Sequence, residues 1–188
     1  MAIEIYQCSG LNFEPVAHKY SFHGKEIPSV TSIIKRANLV DERFFNDEGR
    51  LRGTAVHEAV FLSIHNILDR NNLHKIIEPY FVQWEKFLID SRFIPIKRFC
   101  ESCLFNPTYH YAGKIDLLGN LNGRHALIDI KTGSSIIAPL QTAAYAAMPP
   151  IELYRPRRYS LQLKPDRYIL TEYTDKQDFI KFIRLLRR

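Results

Sequence analysis

The 188-residue chain has few cysteines and no long apolar run, and both absences narrow the class of protein. Its three cysteines, Cys8, Cys100 and Cys103, are an odd number. Because disulfide scaffolds use paired cysteines, we expect free thiols and a protein of the cytoplasm. No apolar run approaches the ~18 residues of a membrane-spanning helix, so we expect no membrane partner. Residues 1–5 lack the basic and apolar segments of a secretory signal, so we expect none.

Glycine and proline, at eight and ten residues, are also too scarce for a fibrous or disordered chain. Hydrophobic residues make up 46% of the sequence and charged residues 24%, which is typical of a globular protein with a substantial core. We therefore expect a single domain over residues 1–188, in which residues 1–50 form an N-terminal extension that packs on the core.

The excess of positive charge lies near the end of the chain. Residues 151–188 hold ten basic and five acidic residues, whereas residues 1–150 hold sixteen and fifteen. A local basic surface favours attraction to a polyanion, with nucleic acid the first candidate. A solvated basic face without a partner explains the charge equally well.

Apolar spacing and turn residues predict the order of helices and strands. The predicted helices cover residues 30–39, 54–70, 78–91, 138–148 and 176–187. The predicted strands cover residues 19–22, 27–30, 97–105, 109–118, 124–131, 157–164 and 167–173. This order predicts an α/β fold with a central mixed β-sheet flanked by helices.

One predicted hairpin brings charged residues together. Asn122-Gly123 is a strong signal for a two-residue loop, since both residues tolerate positive φ. Counting back from this loop places Asp116 opposite Asp129. Alternation along the strands then puts Asp116, Asp129 and Lys131 on one face. The opposite face is expected to carry the apolar residues Ile115, Leu117, Ile128 and Ile130.

Two carboxylates opposed across a hairpin have Cβ atoms about 4.5–5.5 Å apart and repel each other. Either one of them is protonated, with a raised pKa, or a divalent cation lies between them. Lys131 on the same face would orient a water or stabilise developing negative charge. A four-residue loop would keep this face, whereas a three-residue loop would separate Asp116 from Asp129. The alternative is an ordinary surface hairpin of mixed charge.

Three further residues are candidates for the same site. His57 lies in the first turn of the predicted helix 54–70, where an imidazole would reach a metal held by the sheet. Gln141 and Tyr145 are four residues apart on the helix after Lys131, so they share a face. Each also has an ordinary interpretation, as a packed or capping histidine or as polar groups at a helix interface.

Cys100 and Cys103 form a CxxC pattern with Glu101 between them. Residues three apart in a strand point to opposite faces, which disfavours a shared metal or a redox pair and favours packing. Glu101 would add a carboxylate to the site, but strand parity does not settle which face it takes.

Taken in order, five segments resemble the RecB-like branch of the PD-(D/E)XK nuclease superfamily, including its phage exonucleases. They are Tyr20 with Ile-Pro-Ser-Val-Thr at 27–31, Arg-Gly-Thr-Ala-Val-His at 52–57, Tyr-Ala-Gly-Lys-Ile-Asp at 111–116, Leu-Ile-Asp-Ile-Lys-Thr-Gly at 127–133 and Gln-Thr-Ala-Ala-Tyr at 141–145. The acidic residue of the last sheet motif is Asp129, where the superfamily more often has Glu. The four-cysteine iron–sulfur pattern of some relatives does not match the three cysteines here.

The resemblance implies a restriction-endonuclease-like core and a Mg²⁺- or Mn²⁺-dependent nuclease. The implied metal ligands are His57, Asp116, Asp129 and the carbonyl of Ile130. The implied catalytic residues are Asp116, Asp129, Lys131, Gln141 and Tyr145. A metal would neutralise the phosphate, activate water and stabilise the leaving oxygen.

The expected partner is DNA, as linear ends or single strands, in phage or bacterial recombination, repair or DNA processing. The expected nucleic-acid-binding residues are Arg52, Arg155, Arg157, Arg158 and Lys164, supported by the further basic residues Arg167, Lys181, Arg184, Arg187 and Arg188. Stacking on bases is one use of Tyr109, Tyr111 and Tyr154, and core packing is the other. The alternatives are a catalytically silent nucleic-acid-binding protein of the same fold, a structure-specific endonuclease, and an RNA substrate. A homo-oligomer or a recombination partner protein is compatible with each.

Overall fold

The computed structural model describes residues 3–39, 47–134 and 136–187. Its helices are α1 (Val30–Arg36), α2 (Asp47–Ile64), α3 (Glu78–Ser91), α4 (Ala138–Ala146), α5 (Ile151–Tyr154) and α6 (Gln177–Leu186), with 3₁₀ turns at Arg70–Asn72 and Lys97–Phe99. Its strands are β1 (Leu11–Glu14), β2 (Lys19–Phe22), β3 (Lys25–Ile27), β4 (Ile94–Pro95), β5 (Cys103–Asn106), β6 (Tyr111–Lys114), β7 (Leu117–Leu121), β8 (Arg124–Lys131), β9 (Arg157–Leu163) and β10 (Tyr168–Tyr173). None of the described helices is both long and apolar enough to cross a membrane.

The central sheet has five strands in the order β10-β9-β8-β7-β4. β8 and β9 are parallel, and the other neighbouring pairs are antiparallel. Helices pack on both faces, so the predicted α/β class with a central mixed sheet flanked by helices is confirmed. β5 and β6 form a separate pair, and β1, β2 and β3 form a small N-terminal sheet.

Two apolar clusters lie on the two faces of the central sheet. One joins Leu117, Ile128 and Ile130 to α2 and α3, with Trp84 fully buried between them. The other joins Leu118 and Leu127 to α1, α4 and α6. The site described below lies where the sheet ends between these two layers.

The predicted hairpin has the predicted register. Asn122 and Gly123 adopt φ values of 52° and 78°, and Leu121 pairs with Arg124. One part of the prediction is wrong, because Ile115 packs with the α4 side of the sheet and not with Leu117. The strand predicted over 109–118 is interrupted after Lys114, and the backbone bend there breaks the alternation of faces.

Other predicted elements also have different bounds, among them the strand predicted over 27–30, which is β3 at Lys25–Ile27. The helix predicted over 54–70 begins at Asp47 and ends at Ile64, because Asn66 takes a left-handed φ of 60°. Ile67 lies beyond the end of the helix and is 53% exposed. The strand predicted over 97–105 is a 3₁₀ turn followed by the short β5, since Glu101 between them has a φ of 56°.

The N-terminal residues pack against the rest of the chain. Phe22 stacks on Phe105 at a centroid distance of 4.0 Å, and the carbonyl of Pro28 accepts a hydrogen bond of 2.9 Å from Ala112 N–H. The predicted boundary at residue 50 falls inside α2. The single-domain prediction over 1–188 also covers residues 1–2, 40–46, 135 and 188, which lie outside the described residues.

Candidate metal centre

The centre forms at the edge of β8 beyond the point where β7 stops pairing with it. The last residue pair between β7 and β8 is Leu117 with Ile128, because the chain bends away before Leu117. Backbone N–H and C=O of one residue in a strand point to the same side, so both groups of Ile130 face the edge that β7 has left. Asp116 Oδ2 accepts a hydrogen bond of 2.6 Å from Ile130 N–H. Nε2 of His57 lies 3.2 Å from the Ile130 carbonyl oxygen.

His57 joins the sheet to two carboxylates. Its Nδ1 lies 3.2 Å from Oε1 of Glu101 and 3.5 Å from Oδ1 of Asp116. One potential ligand atom from each of these three residues lies within 4.8 Å of the other two. The structure therefore brings together His57, Asp116 and the Ile130 carbonyl, as the resemblance implied, and adds Glu101.

Glu101 reaches the centre because it does not belong to a strand. It follows the 3₁₀ turn at Lys97–Phe99, and its left-handed backbone turns the chain into β5. Its N–H donates a hydrogen bond of 3.0 Å to the backbone carbonyl of Asp116, which fixes the two residues side by side. Glu101 Oε2 also forms an ion pair with Lys114. The sequence analysis identified Glu101 as a candidate ligand. It did not predict which way the side chain points, because it assumed that Glu101 lies within a strand.

The charges of this cluster shift its pKa values. Burial alone would lower the pKa of His57, but the carboxylates of Asp116 and Glu101 outweigh burial and raise it to about 9. Burial raises the pKa of Asp116 to about 7, with a further increase from Asp129 and Glu101 and an opposing effect of His57. The carboxylates around His57 therefore favour the charged form of its imidazole.

Asp129 is the predicted ligand that the structure places differently. It is 2% exposed and lies outside the group of three, and its Oδ2 is 2.7 Å from Nζ of Lys131. Lys131 Nζ also donates a hydrogen bond of 3.0 Å to Oε1 of Gln141. Gln141 Nε2 in turn donates one of 3.0 Å to the hydroxyl of Tyr145. The predicted residues Asp129, Lys131, Gln141 and Tyr145 therefore form one connected chain beside the candidate metal ligands.

Two cavities meet at the cluster. An inner cavity of about 170 Å³ is lined by the charged residues of the centre and by groups of the N-terminal segment, including His18 and Tyr20. An outer cavity of about 490 Å³ lies on the α2 side and has Ile5 and Phe61 among its lining residues. His57 and Lys114 line both cavities, so the centre is accessible from two directions.

The predicted nucleic-acid-binding arginines lie mostly away from the centre. Arg157 pairs with Ala126, three residues before Asp129 along β8, which corresponds to about 10 Å at 3.3 Å per residue. Arg155 lies two residues before this end of β9. Lys164 is different from Arg155, Arg157 and Arg158, because it follows the end of β9 that lies beside Lys131.

Arg158 and Arg52 have partners inside the protein. The side chain of Arg158 is 13% exposed, and it forms a 3.0 Å ion pair with Asp178. It also donates to the carbonyl oxygens of Pro139 and Asp175. The guanidinium of Arg52 lies over the Tyr80 ring, 5.4 Å from its centroid. The hydrogen bonds and ion pair of Arg158 leave it little capacity to bind phosphate. The contact of Arg52 with the Tyr80 ring uses the face of the guanidinium, so the role predicted for Arg52 stays a prediction.

The tyrosines and cysteines of the sequence analysis are largely packing residues. Tyr111 is fully buried and donates a hydrogen bond of 2.9 Å to the Ala144 carbonyl, so the proposed stacking of Tyr111 on a base is wrong. Tyr154 and Tyr109 contact Phe99 and Phe179 edge to face. Cys8, Cys100 and Cys103 are free, and burial raises the pKa of the Cys100 thiol.

Comparisons with known proteins add little to this geometry. No family model matches the chain, and a search of curated proteins gives no match. Among solved structures, the chain is similar to one described as "Crystal structure of SSO0001", at 16% sequence identity and a TM-score of 0.38. The likeness covers 84% of this chain and 81% of that one. A likeness at this TM-score gives no basis for assigning a function, so the proposal below rests on the site alone.

Proposed function

We propose that this protein is a Mg²⁺- or Mn²⁺-dependent nuclease with a restriction-endonuclease-like fold, which hydrolyses phosphodiester bonds of DNA. One observation carries the proposal: a ligand atom from each of His57, Glu101 and Asp116 lies within 4.8 Å of the other two. The Ile130 carbonyl lies 3.2 Å from the second ring nitrogen of His57, and Asp129 and Lys131 line the same inner cavity. The helices on both faces of the mixed sheet support the same fold.

The donor set suits a hard divalent cation. Carboxylate and carbonyl oxygens are the ligands that Mg²⁺ prefers, and an imidazole nitrogen is also compatible with Mn²⁺. Ligand atoms on opposite sides of an ion are about 4–5 Å apart, which is twice a metal–oxygen bond. The 4.8 Å limit within the group of three meets this requirement. Oδ2 of Asp129 contacts Nζ of Lys131 at 2.7 Å, and a carboxylate oxygen has a second lone pair, so it retains capacity for another contact.

Hydrolysis would need both a bound cation and the side chains around it. A bound divalent cation would supply Lewis acidity, which lowers the pKa of water and neutralises the phosphate. Lys131, held by Asp129 and Gln141, would place its ammonium beside the attacked phosphate and stabilise the added negative charge. Water adds its oxygen to phosphorus, the bond from phosphorus to the leaving oxygen breaks, and that oxygen takes a proton. The products are a phosphomonoester and an alcohol.

The burial of the centre favours single-stranded DNA or linear ends as the substrate. Asp116 is 8% exposed and Asp129 is 2% exposed. A single strand or frayed end bends more easily than an intact duplex, which helps it to place a phosphate against such recessed groups. We therefore propose exonuclease action, in the cytoplasm of a bacterium or on phage DNA.

The test is incubation of linear and circular DNA with the purified protein, with Mg²⁺, Mn²⁺ or a chelator. We expect linear DNA to be lost only when metal is present. Asp129→Asn should abolish turnover, and the matched control Asp166→Asn, in an exposed turn, should not. Nicking of circles would change the proposal to an endonuclease. Binding of DNA without hydrolysis under any metal would overturn it in favour of a silent binding protein.

A further inference from the structure

Lys114 is a charged residue of the centre to which the proposed mechanism gives no task. It is the last residue of β6 and forms an ion pair with Oε2 of Glu101, whose other oxygen faces His57. Its side chain is 37% exposed. Lys114 also lines both the inner and the outer cavity. Its ammonium is therefore next to a candidate metal ligand and open to incoming molecules.

Lys131 differs from Lys114 in its exposure and in its partners. Lys131 is 19% exposed and is held by Asp129 and Gln141 on the inner side of the cluster. Lys114 has Glu101 as its partner on the outer side. Both lysines line the inner cavity, and Lys114 also lines the outer one.

We propose, resting on the proposed nuclease function, that Lys114 binds the phosphodiester to be cleaved from the outer side, and that the outer cavity takes the nucleoside attached to it. The cavity volume of about 490 Å³ and its apolar residues Ile5 and Phe61 suit a base, and Lys114 borders the cavity on the side of the centre. A phosphate between Lys114 and Lys131 would receive positive charge from both sides.

Because Lys114 pairs with the candidate ligand Glu101, we expect it to have opposite effects on metal binding and on DNA binding. When a divalent cation takes Glu101 as a ligand, the ammonium of Lys114 shares that carboxylate with a second positive charge. Like charges at this range repel, and an anionic phosphate between them relieves the repulsion. Lys114 would therefore weaken binding of the metal alone and strengthen binding of DNA.

The experiment measures both affinities in Lys114→Gln. Binding of Mn²⁺ to the free protein is followed by electron paramagnetic resonance. Binding of a single-stranded oligonucleotide is followed by fluorescence anisotropy in chelator. We expect Mn²⁺ to bind about threefold or more tightly than to the wild type, and the oligonucleotide about threefold or more weakly. Lys114→Arg keeps the charge and should restore both values.

Lys19→Gln is the matched control, because Lys19 forms an exposed 3.2 Å ion pair with Glu26 outside the centre. It should leave both affinities unchanged. A Lys114→Gln protein with weaker Mn²⁺ binding, or with unchanged oligonucleotide binding, would overturn the proposal and leave Lys114 as a structural partner of Glu101. A wild type that binds no Mn²⁺ would overturn this proposal together with the nuclease function. A wild type that binds Mn²⁺ and DNA without hydrolysis would overturn the nuclease function alone, since the two affinities still decide the role of Lys114.

Discussion

The carboxylate of Asp116 accepts a hydrogen bond of 2.6 Å from the backbone N–H of Ile130, fourteen residues later in the chain. This bond replaces the strand pairing that ends at Leu117, so a side chain completes the edge of β8 where the neighbouring backbone is absent. The same residue is a candidate metal ligand. Asp116 thus links the stability of the sheet edge to the composition of the site.

Two substitutions of Asp116 separate these tasks. Asp116→Asn retains an oxygen that accepts from Ile130 N–H and removes a buried charge near Asp129. Asp116→Ala leaves a buried N–H without a partner, which costs about 1–3 kcal/mol. We expect urea unfolding to show that the alanine variant is less stable than the asparagine variant by about this amount. Both variants should lose Mn²⁺ binding, and equal stability of the two would show that the bond to Ile130 contributes nothing.

Glu101 and Glu58 provide a matched test of the ligand set. Both glutamates line the outer cavity, but only Glu101 lies within the group of three, and Glu58 is exposed. We expect Glu101→Gln to weaken Mn²⁺ binding at least 10- to 100-fold, because an amide is a weaker ligand than a carboxylate. Glu58→Gln should bind as the wild type does in a calorimetric titration. Equal losses in the two variants would point to a general effect of charge and remove Glu101 from the centre.

Arg158 should affect stability more than DNA binding. Its ion pair with Asp178 is buried, and truncation of one partner of such a pair costs about 3–5 kcal/mol. We expect Arg158→Ala to lower the free energy of unfolding by about this amount, measured by chemical denaturation. Lys164→Gln should keep its stability and reduce the salt dependence of DNA binding by about one phosphate contact. A stable Arg158→Ala protein with a reduced salt dependence would restore the original assignment of Arg158 to DNA.

Gly119 is required by close packing of β7 on β4. A Cβ atom there would lie 2.5 Å from the carbonyl oxygen of Ile94 and in contact with the ring of Phe93. We expect Gly119→Ala to destabilise the protein by about 1–3 kcal/mol in thermal unfolding. Gly133→Ala is the control, because the described structure places nothing within 4 Å of a Cβ at that position. Comparable stability of the two variants would mean that β4 shifts at no cost.

The sequence predicted those parts of the centre that local rules determine. Asn122-Gly123 fixes the hairpin loop, and the loop fixes the register as far as the pair Leu117–Ile128, one residue short of the predicted pair Asp116–Asp129. The four-residue spacing of Gln141 and Tyr145 on a helix placed both side chains on the Lys131 side. These relationships involve residues that are close in the chain or paired in one hairpin, so periodicity was sufficient.

Other features depend on contacts that no local pattern contains. The interruption between β6 and β7 follows from β6 pairing with β5 while β7 pairs in the central sheet. The left-handed backbone of Glu101 is unusual for a residue other than glycine, and nothing in Cys100-Glu101-Ser102 signals it. The internal role of Arg158 requires α6 to supply Asp178, which charge counting along the sequence does not reveal.

The contacts of His57 join distant parts of the chain, since Glu101 and Ile130 are 44 and 73 residues away. A partly folded molecule that has formed the hairpin but not docked α2 would lack an imidazole at the sheet edge. The amount of bound Mn²⁺ would therefore report the fraction of molecules in which α2 has docked on the sheet. During refolding, its electron paramagnetic resonance signal should lag behind the recovery of circular dichroism from helices and strands.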